Sequence, residues 1–261
     1  MSAAKPELSI VIPAYNEEQR LPETLRRVRG YLEARQASAE VIVVDDGSRD
    51  RTAAVVEAFR KEFPALRLLA NGRNRGKGYS VRHGMLEACG RVVLFTDADL
   101  SAPIEEADKL LAALACGERS RTSTYDVAIG SRAVDRSLIE VHQSPLREWA
   151  GILFNWAVRV VTGLKFADTQ CGFKAFARER ARILFEQQRI ERFGFDPEIL
   201  FLARRHGLRA VEIGVRWAHH PATKVHVVRD GLRMFGEVLL IRWNWLRGRY
   251  PKRRLGAAPD A

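Results

Sequence analysis

The sequence predicts an α/β protein built on a doubly wound, mostly parallel sheet, and two observations carry that expectation. Continuous Val/Ile/Leu runs recur through roughly the first 130 residues without the alternation of a half-exposed strand, so these strands are covered on both faces. Stretches with helical spacing separate them, and strand alternating with helix gives a parallel sheet whose ligands bind beyond the carboxyl ends of its strands.

The elements follow in order. LSIVIPAYNEE opens with a short apolar run, Leu8 to Ile12, closed by Pro13, and LPETLRRVRGYLEAR continues as a helix. EVIVVDDGSRDRT holds a second run ending at Asp45 and Asp46, with Ser48 or Asp50 as the cap of the next helix. LRLLAN, RVVLFTDAD and DVAIGSR supply three more strands. The strand ends read Pro13-Ala14-Tyr15-Asn16-Glu17, Asp45-Asp46-Gly47, Asn74-Arg75-Gly76-Lys77-Gly78, Asp97-Ala98-Asp99 and Gly130-Ser131-Arg132. One such segment is an ordinary solvated turn. Five on one edge predict a ligand site.

Composition narrows the class. With 261 residues, 46% of them apolar and 29% charged, the chain suits one sizeable globular domain or a domain with an appended element. The net charge of +11 is uneven: residues 1–100 hold 16 Lys/Arg against 14 Asp/Glu, and residues 101–261 hold 27 against 18. An anionic partner is therefore expected on the later part, either a nucleic acid or an acidic membrane surface. Cys89, Cys116 and Cys171 lack metal-ligand spacing, and the opening MSAAKPELS has no leader character, so reduced thiols in a cytoplasmic protein are expected. No apolar run approaches the roughly 18–20 residues that span a bilayer.

Asp97 and Asp99 carry the chemistry. Two carboxylates one residue apart raise each other's pKa unless a cation sits between them. Mg²⁺ or Mn²⁺ suits them, and Mg²⁺ is typically held by one or two carboxylates together with substrate phosphates, which suggests a diphosphate ligand. A GxxxxGK[ST] loop and a GxGxxG fingerprint after the first strand are both missing, which excludes a P-loop enzyme and argues against a dinucleotide cofactor. NRGKG can place Lys77 and backbone amides near phosphate, although a plain glycine turn fits equally well.

SIVIPAYNEE, VIVVDDGSRDRT, NRGKGYSVRHGM, FTDADLS and IGSR resemble the successive signatures of the family 2 inverting glycosyltransferases, which have the GT-A fold. DTQCGFKAF, FGFDPEIL and the Trp217 to Val225 stretch resemble the dolichyl-phosphate glucosyltransferase and mannosyltransferase branch. The resemblance covers roughly residues 7–247. It implies that Pro13, Tyr15, Glu17 and Asp45 line the nucleotide base, with Ala14, Ala98 and Lys77 in the same nucleotide-sugar set. Asp46 and Asp97 would lie near the ribose, and Asp99, with Asp97, would hold the metal. Relatives of the mannosyl type often have Gln where this chain has Ser101, a shorter ligand.

A hydroxyl acceptor needs a general base, whereas a lipid monophosphate arrives anionic and needs cations. Arg132, Lys174 and Lys224, within the family-like motifs, suit the phosphate, and Asp168 is either a base or the orienting partner of Lys174 or Arg132. The reading is an inverting transferase moving glucose from UDP-glucose to a polyprenyl phosphate. GDP-mannose as donor, a hydroxyl acceptor with Asp168 as base, and a catalytically silent nucleic-acid-binding protein are the rivals. The last is disfavoured because the aromatics sit on apolar helices rather than interleaved with basic residues.

LREWAGILFNWAVRVVTGL (146–164) and VVRDGLRMFGEVLLIRWNWLRGRY (227–250) read as amphipathic helices. In the second, Arg229, Arg233, Asn244 and Arg247 share one face, and Val228, Leu232, Phe235, Leu239, Trp243 and Leu246 share the other. Arg242 falls inside the apolar arc, where its stem can snorkel. A membrane-interface helix is expected, with core or homodimer contacts as the alternatives. The expected organisation is a transferase domain over 1–225, with a nucleotide-sugar half at 7–132 and an acceptor half at 133–225. The interface helix would span 226–250 and a basic, disordered tail 251–261. Together these place the protein peripherally on the cytoplasmic face of a membrane.

Overall fold

The computed structural model describes residues 5–114, 125–141, 144–219 and 227–251. The first half runs β1 (Leu8–Ala14), α1 (Leu21–Arg35), β2 (Ala39–Asp45), α2 (Thr52–Arg60), β3 (Leu66–Ala70), α3 (Lys77–Glu87), β4 (Val92–Thr96) and α4 (Ala107–Leu114). The second runs β5 (Val127–Ser131), β6 (Ile139–Val141), α5 (Pro145–Thr162), β7 (Phe173–Ala177), α6 (Arg178–Gln187) and α7 (Phe195–Arg205). It closes with β8 (Ala210–Gly214), β9 (Trp217–Ala218) and α8 (Val227–Leu246).

Seven strands form one sheet in the order β3-β2-β1-β4-β7-β5-β8, and β6 pairs with β9 in a small second sheet. Every pairing in the large sheet is parallel except those of β7, which runs antiparallel to β4 and β5. Apolar periodicity does not reveal this reversal, because Phe173, Lys174, Ala175 and Phe176 are all buried. Its consequence is functional. Phe173 pairs with Thr96, so the segment leading into β7 arrives at the edge where the parallel strands end.

Alternate strand residues enter two cores, one on each face of the sheet. Ile10 and Ile12 pack with Leu21, Leu25 and Val28 of α1, while Val11 packs in the cluster containing Val81 of α3, Phe185 of α6 and Leu202 of α7. This double coverage is why the strands read as unbroken apolar runs. Phe95 is fully buried with its ring 6.3 Å from Phe176 and 5.8 Å from Phe195. Truncating such a ring to Ala costs about 3–5 kcal/mol.

Two local expectations change. β1 continues through Pro13 to Ala14 rather than stopping at Ile12, because pairing with β4 ends at Val11–Phe95 and only β2 runs alongside Pro13. A residue without an N–H is tolerated where one side of the ladder has ended. Neither Ser48 nor Asp50 occupies the N-cap of α2, which is Arg51. Ser48 Oγ instead accepts from Asn16 N at 2.9 Å, and Asp50 Oδ2 accepts from Glu18 N at 3.1 Å, which ties the β2–α2 loop to the loop after β1.

α5 and α8 pack together and leave a broad apolar surface open. Trp149, Leu153, Trp156 and Val160 of α5 are 61–71% exposed. On α8 the expected apolar arc, Leu232, Phe235, Leu239, Trp243 and Leu246, is exposed throughout its described part. The stripe that meets the core is Val238, Ile241 and Asn244. Asn244 therefore departs from the expected polar face: it is buried, and its amide donates to Tyr250 Oη at 3.4 Å. Arg242 is exposed and stacks 4.2 Å over the Trp245 ring, and Trp245 packs edge-on against Phe201. Among the described residues no helix is long and apolar enough to cross a membrane.

Candidate active site

The carboxyl ends of β1, β2, β4 and β5 and the entry to β7 meet at one edge of the sheet. β4 delivers Asp97, and the chain then turns sharply: Leu100 is buried at φ 46°, a conformation that strains a residue with a Cβ. Leu100 N donates to Asp97 O at 3.1 Å and Ser101 N to Asp99 Oδ1 at 3.0 Å, which holds the turn closed. Ser101 thus meets Asp99 through its main chain.

A cation already stands beside Asp97. Lys77, at the start of α3, places Nζ 2.5 Å from Asp97 Oδ1. Burial lifts Asp97 above the usual carboxylate range, Lys77 pulls it back, and the nearby Asp99 charge adds to the rise. Burial works to lower the Lys77 ammonium, but Asp97, Asp196 and Asp99 outweigh it and hold it above the ordinary lysine value. Gly172, in the segment entering β7, covers the other side: a Cβ there would lie 2.6 Å from Asp97 Cγ.

The Lys77 loop is itself built by Asp46. Its carboxylate accepts from Arg75 N at 3.0 Å, Gly76 N at 2.8 Å and Asn71 Nδ2 at 2.8 Å. Gly76 has φ 113°, and a Cβ there would lie 2.6 Å from Glu191 O, so only glycine fits this approach. Asp46, which the resemblance implies near the ribose, has a buried carboxylate engaged with this turn. Pro13 and Tyr15 are half-buried at the end of β1, next to Ala14 and the buried Asp45, while Glu17 forms a two-pronged ion pair with Arg20 at 2.7 and 2.8 Å. Ala98 is buried and its carbonyl accepts from Thr24 Oγ1.

Across the edge lies Arg132, just after β5. Its Nε and Nη2 donate to Asp168 at 2.6 and 2.8 Å, its backbone N adds a third bond at 3.1 Å, and Gln170 N a fourth at 3.0 Å. Burial would raise the Asp168 carboxyl, but the Arg132 charge and these bonds hold it down at about 2. The side chain of Arg132 remains 30% exposed and its guanidinium lies 5.4 Å from the Trp217 ring centre. Both oxygens of Asp168 are thus engaged with Arg132.

Lys174 does not join this group. It is fully buried, its ammonium paired with Asp196 and hydrogen-bonded to Cys171 O, so the structure removes it from the expected acceptor set. The register explains why: Lys174 sits inside β7, opposite Phe95 and Ile129. Burial pushes the neighbouring Cys171 thiol up to about 12. Lys224 lies outside the described residues, as do Cys116 and the basic tail from residue 252.

Two contributors escaped the sequence reading. Glu212 of β8 accepts from Ala167 N at 2.8 Å and Asp168 N at 2.6 Å, and Asn155 of α5 bonds the same segment from the other side. A lone Glu in a short strand and an Asn in an apolar helix give no sequence signal for this. Asp97 and Asp99 offer the carboxylate oxygens that hard divalent cations take, and among the described residues no group of three or more His, Cys, Asp or Glu side chains is placed to hold a metal ion by itself.

Residues 9–179 match the model for glycosyl transferase family 2. A dolichyl-phosphate beta-glucosyltransferase of Drosophila melanogaster is 39% identical over 250 residues, covering 92% of this chain and 75% of the relative. One from Trichomonas vaginalis is 36% identical over 226 residues, covering 84% and 68%. The fold is similar to that of glucosyl-3-phosphoglycerate synthase from Mycobacterium tuberculosis, solved with uridine diphosphate. The TM-score is 0.65 at 20% identity, covering 91% of this chain and 80% of that one.

Proposed function

The chain belongs to glycosyl transferase family 2, and on that premise we propose that it moves glucose from UDP-glucose to a polyprenyl phosphate of the dolichyl type, with inversion. The observation that carries the acceptor class is the Arg132–Asp168 pair. A carboxylate held at about 2 and engaged in four hydrogen bonds takes no proton from a hydroxyl at neutral pH, whereas the partly exposed guanidinium it orients suits an anionic acceptor. The names of the relatives support glucose and dolichyl phosphate as the transferred sugar and the acceptor.

One oxygen of the lipid phosphate attacks C1 of the sugar from the face opposite the diphosphate. The C1–O bond to UDP breaks, its electron pair leaves with the diphosphate, and a C1–O–P bond forms. No proton moves in this step, because the nucleophile is already anionic. Asp99 and Asp97 would hold Mg²⁺ or Mn²⁺, which when bound supplies positive charge to the leaving diphosphate. Lys77 adds a fixed cation at the same edge. Pro13, Ala14, Tyr15, Glu17, Asp45 and Ala98 form the nucleotide side, and Arg132, with Lys224 from its motif, the acceptor side.

A polyprenyl tail stays in the bilayer, so the site has to work at its surface. The exposed faces of α5 and α8 support this, with Arg233, Arg242 and Arg247 exposed among the apolar residues of α8. Cys89 and Cys171 are free thiols, which fits the reducing, cytoplasmic side. The test is transfer of labelled sugar from UDP-glucose, UDP-galactose and GDP-mannose to a short polyprenyl phosphate and to the matching alcohol. Transfer to the alcohol in preference to the phosphate would overturn the acceptor class, and preference for GDP-mannose the donor.

A further inference from the structure

Asn155 sits on the inner side of α5, with buried Val158 and Thr162, while Leu153 and Trp156 on either side of it are exposed. Its amide nitrogen donates to Ala167 O at 2.7 Å, and its amide oxygen accepts from Thr169 Oγ1 at 2.8 Å and Thr169 N at 3.3 Å. A main-chain carbonyl on one side and a main-chain N–H on the other dictate which way the amide points. Both residues flanking Asp168 are therefore gripped by one side chain, and Glu212 takes the N–H groups of Ala167 and Asp168 from β8.

We propose that Asn155 is a positioning residue for the acceptor: it sets Asp168, and through Asp168 the Arg132 guanidinium, from a helix whose other face is the exposed apolar surface. This rests on the reading of Arg132 as the acceptor's cation. Ala167 is exposed, but Thr169 is fully buried and Asp168 nearly so, so at the Thr169 end no water replaces a lost partner. A shift of Asp168 carries Arg132 with it, because the pair is two-pronged. The donor side, built by Asp46 after β2, Lys77 at the start of α3 and Asp97 after β4, has no bond to Asn155 and meets this segment only through Gly172, so the larger effect falls on the acceptor.

The experiment compares Asn155→Ala and Thr169→Val with the wild type, using UDP-glucose and a short polyprenyl phosphate. Asn155→Ala is expected to raise the acceptor KM about tenfold while the UDP-glucose KM stays within about twofold. Thr169→Val keeps the volume and removes only the hydroxyl that Asn155 meets, and is expected to raise the acceptor KM about threefold. Equal changes in both KM values, or an unchanged acceptor KM in folded protein, overturn the proposal. Should Asn155→Ala fail to fold, an unchanged acceptor KM in Thr169→Val decides against it. Amide hydrogen exchange separates this from the functional reading: if the wild type glucosylates no lipid phosphate, that reading falls. Faster exchange at Arg132 and Asp168 in Asn155→Ala, with the amides of Arg75 and Gly76 unchanged, still supports the positioning role, and unchanged exchange there refutes it.

Discussion

Lys77 Nζ lies 2.5 Å from Asp97 Oδ1, so an ammonium from the start of α3 neutralises one half of an acidic pair carried by the loop after β4. Asp99, two residues on, meets Ser101 N with its Oδ1. The two carboxylates thus differ in surroundings, one beside a protein cation and the other bonded to the loop.

Replacing Asp99 with Asn is therefore expected to lower turnover on the order of 100-fold or more at saturating donor, because leaving-group stabilisation is lost while Lys77 and Asp97 stay paired. Rates measured across Mg²⁺ and Mn²⁺ titrations, beside a thermal melt, check this. Near-normal turnover in either metal would show that Asp99 holds no metal.

Gly172→Ala tests how tightly that pair is enclosed. The new Cβ would crowd the Asp97 carboxylate, so the β7 entry or Asp97 has to shift. The expected result is weaker UDP binding in calorimetry, by about tenfold, with the sheet intact by circular dichroism. Unchanged affinity would mean that the segment gives way freely.

Asp168 gives a pH signature. Its pKa in the folded protein is about 2, below the unfolded value, so its contribution to stability is present at neutral pH and is lost as pH falls from about 4 through 2. Asp168→Asn should remove that part of the acid sensitivity, cost on the order of 2 kcal/mol at pH 7, and raise the acceptor KM. Denaturant melts from pH 2 to 7 report the first two effects. The transfer rate of the wild type should show no limb near neutrality that this substitution removes.

Tyr250, beyond the end of α8, donates to buried Glu198 of α7 at 2.6 Å. Burial lifts Glu198 to about 7, against the pull of Tyr250 and the backbone amides of Ile190 and Arg189. A carboxyl raised on folding loses stability as pH climbs from its unfolded value to about 7, because the unfolded chain ionises first. Tyr250→Phe removes one donor to the ionised form, so its cost of about 1–2 kcal/mol should be larger at pH 8 than at pH 5. Urea unfolding at the two pH values checks the sign.

Trp156→Glu combined with Trp243→Glu probes the open apolar surface. Both rings are at least 49% exposed, so the fold should survive with its melting temperature nearly unchanged. Binding to liposomes and activity on long-chain lipid should fall, while activity on a short soluble acceptor is spared. Unchanged liposome binding would assign the face to another contact. Trp245 is unsuited to this test because it packs on Phe201.

Much of the architecture is legible locally. β2 ends at Asp45 and α1 spans Leu21–Arg35 as their sequence patterns predict, because double coverage of a parallel sheet demands continuous apolar runs and a helix against it demands a 3.6-residue stripe. The acidic pair and the Gly-rich Lys77 loop are legible too, since unusual residues at strand ends have a narrow range of uses. By itself, then, the sequence determined the α/β class, the polar strand ends that gather at one edge, and the family. Tertiary structure alone decided which charges face that edge. Lys174 and Arg132 look alike in sequence, yet one points into the core toward Asp196 and the other toward Asp168. The antiparallel insertion of β7 between β4 and β5 makes that choice, and it also sets Gly172 against Asp97. Asn155, Glu212 and Asp46 act through hydrogen bonds to main chain that is distant in sequence. Such bonds depend on where the backbone passes, which no local pattern of side chains encodes.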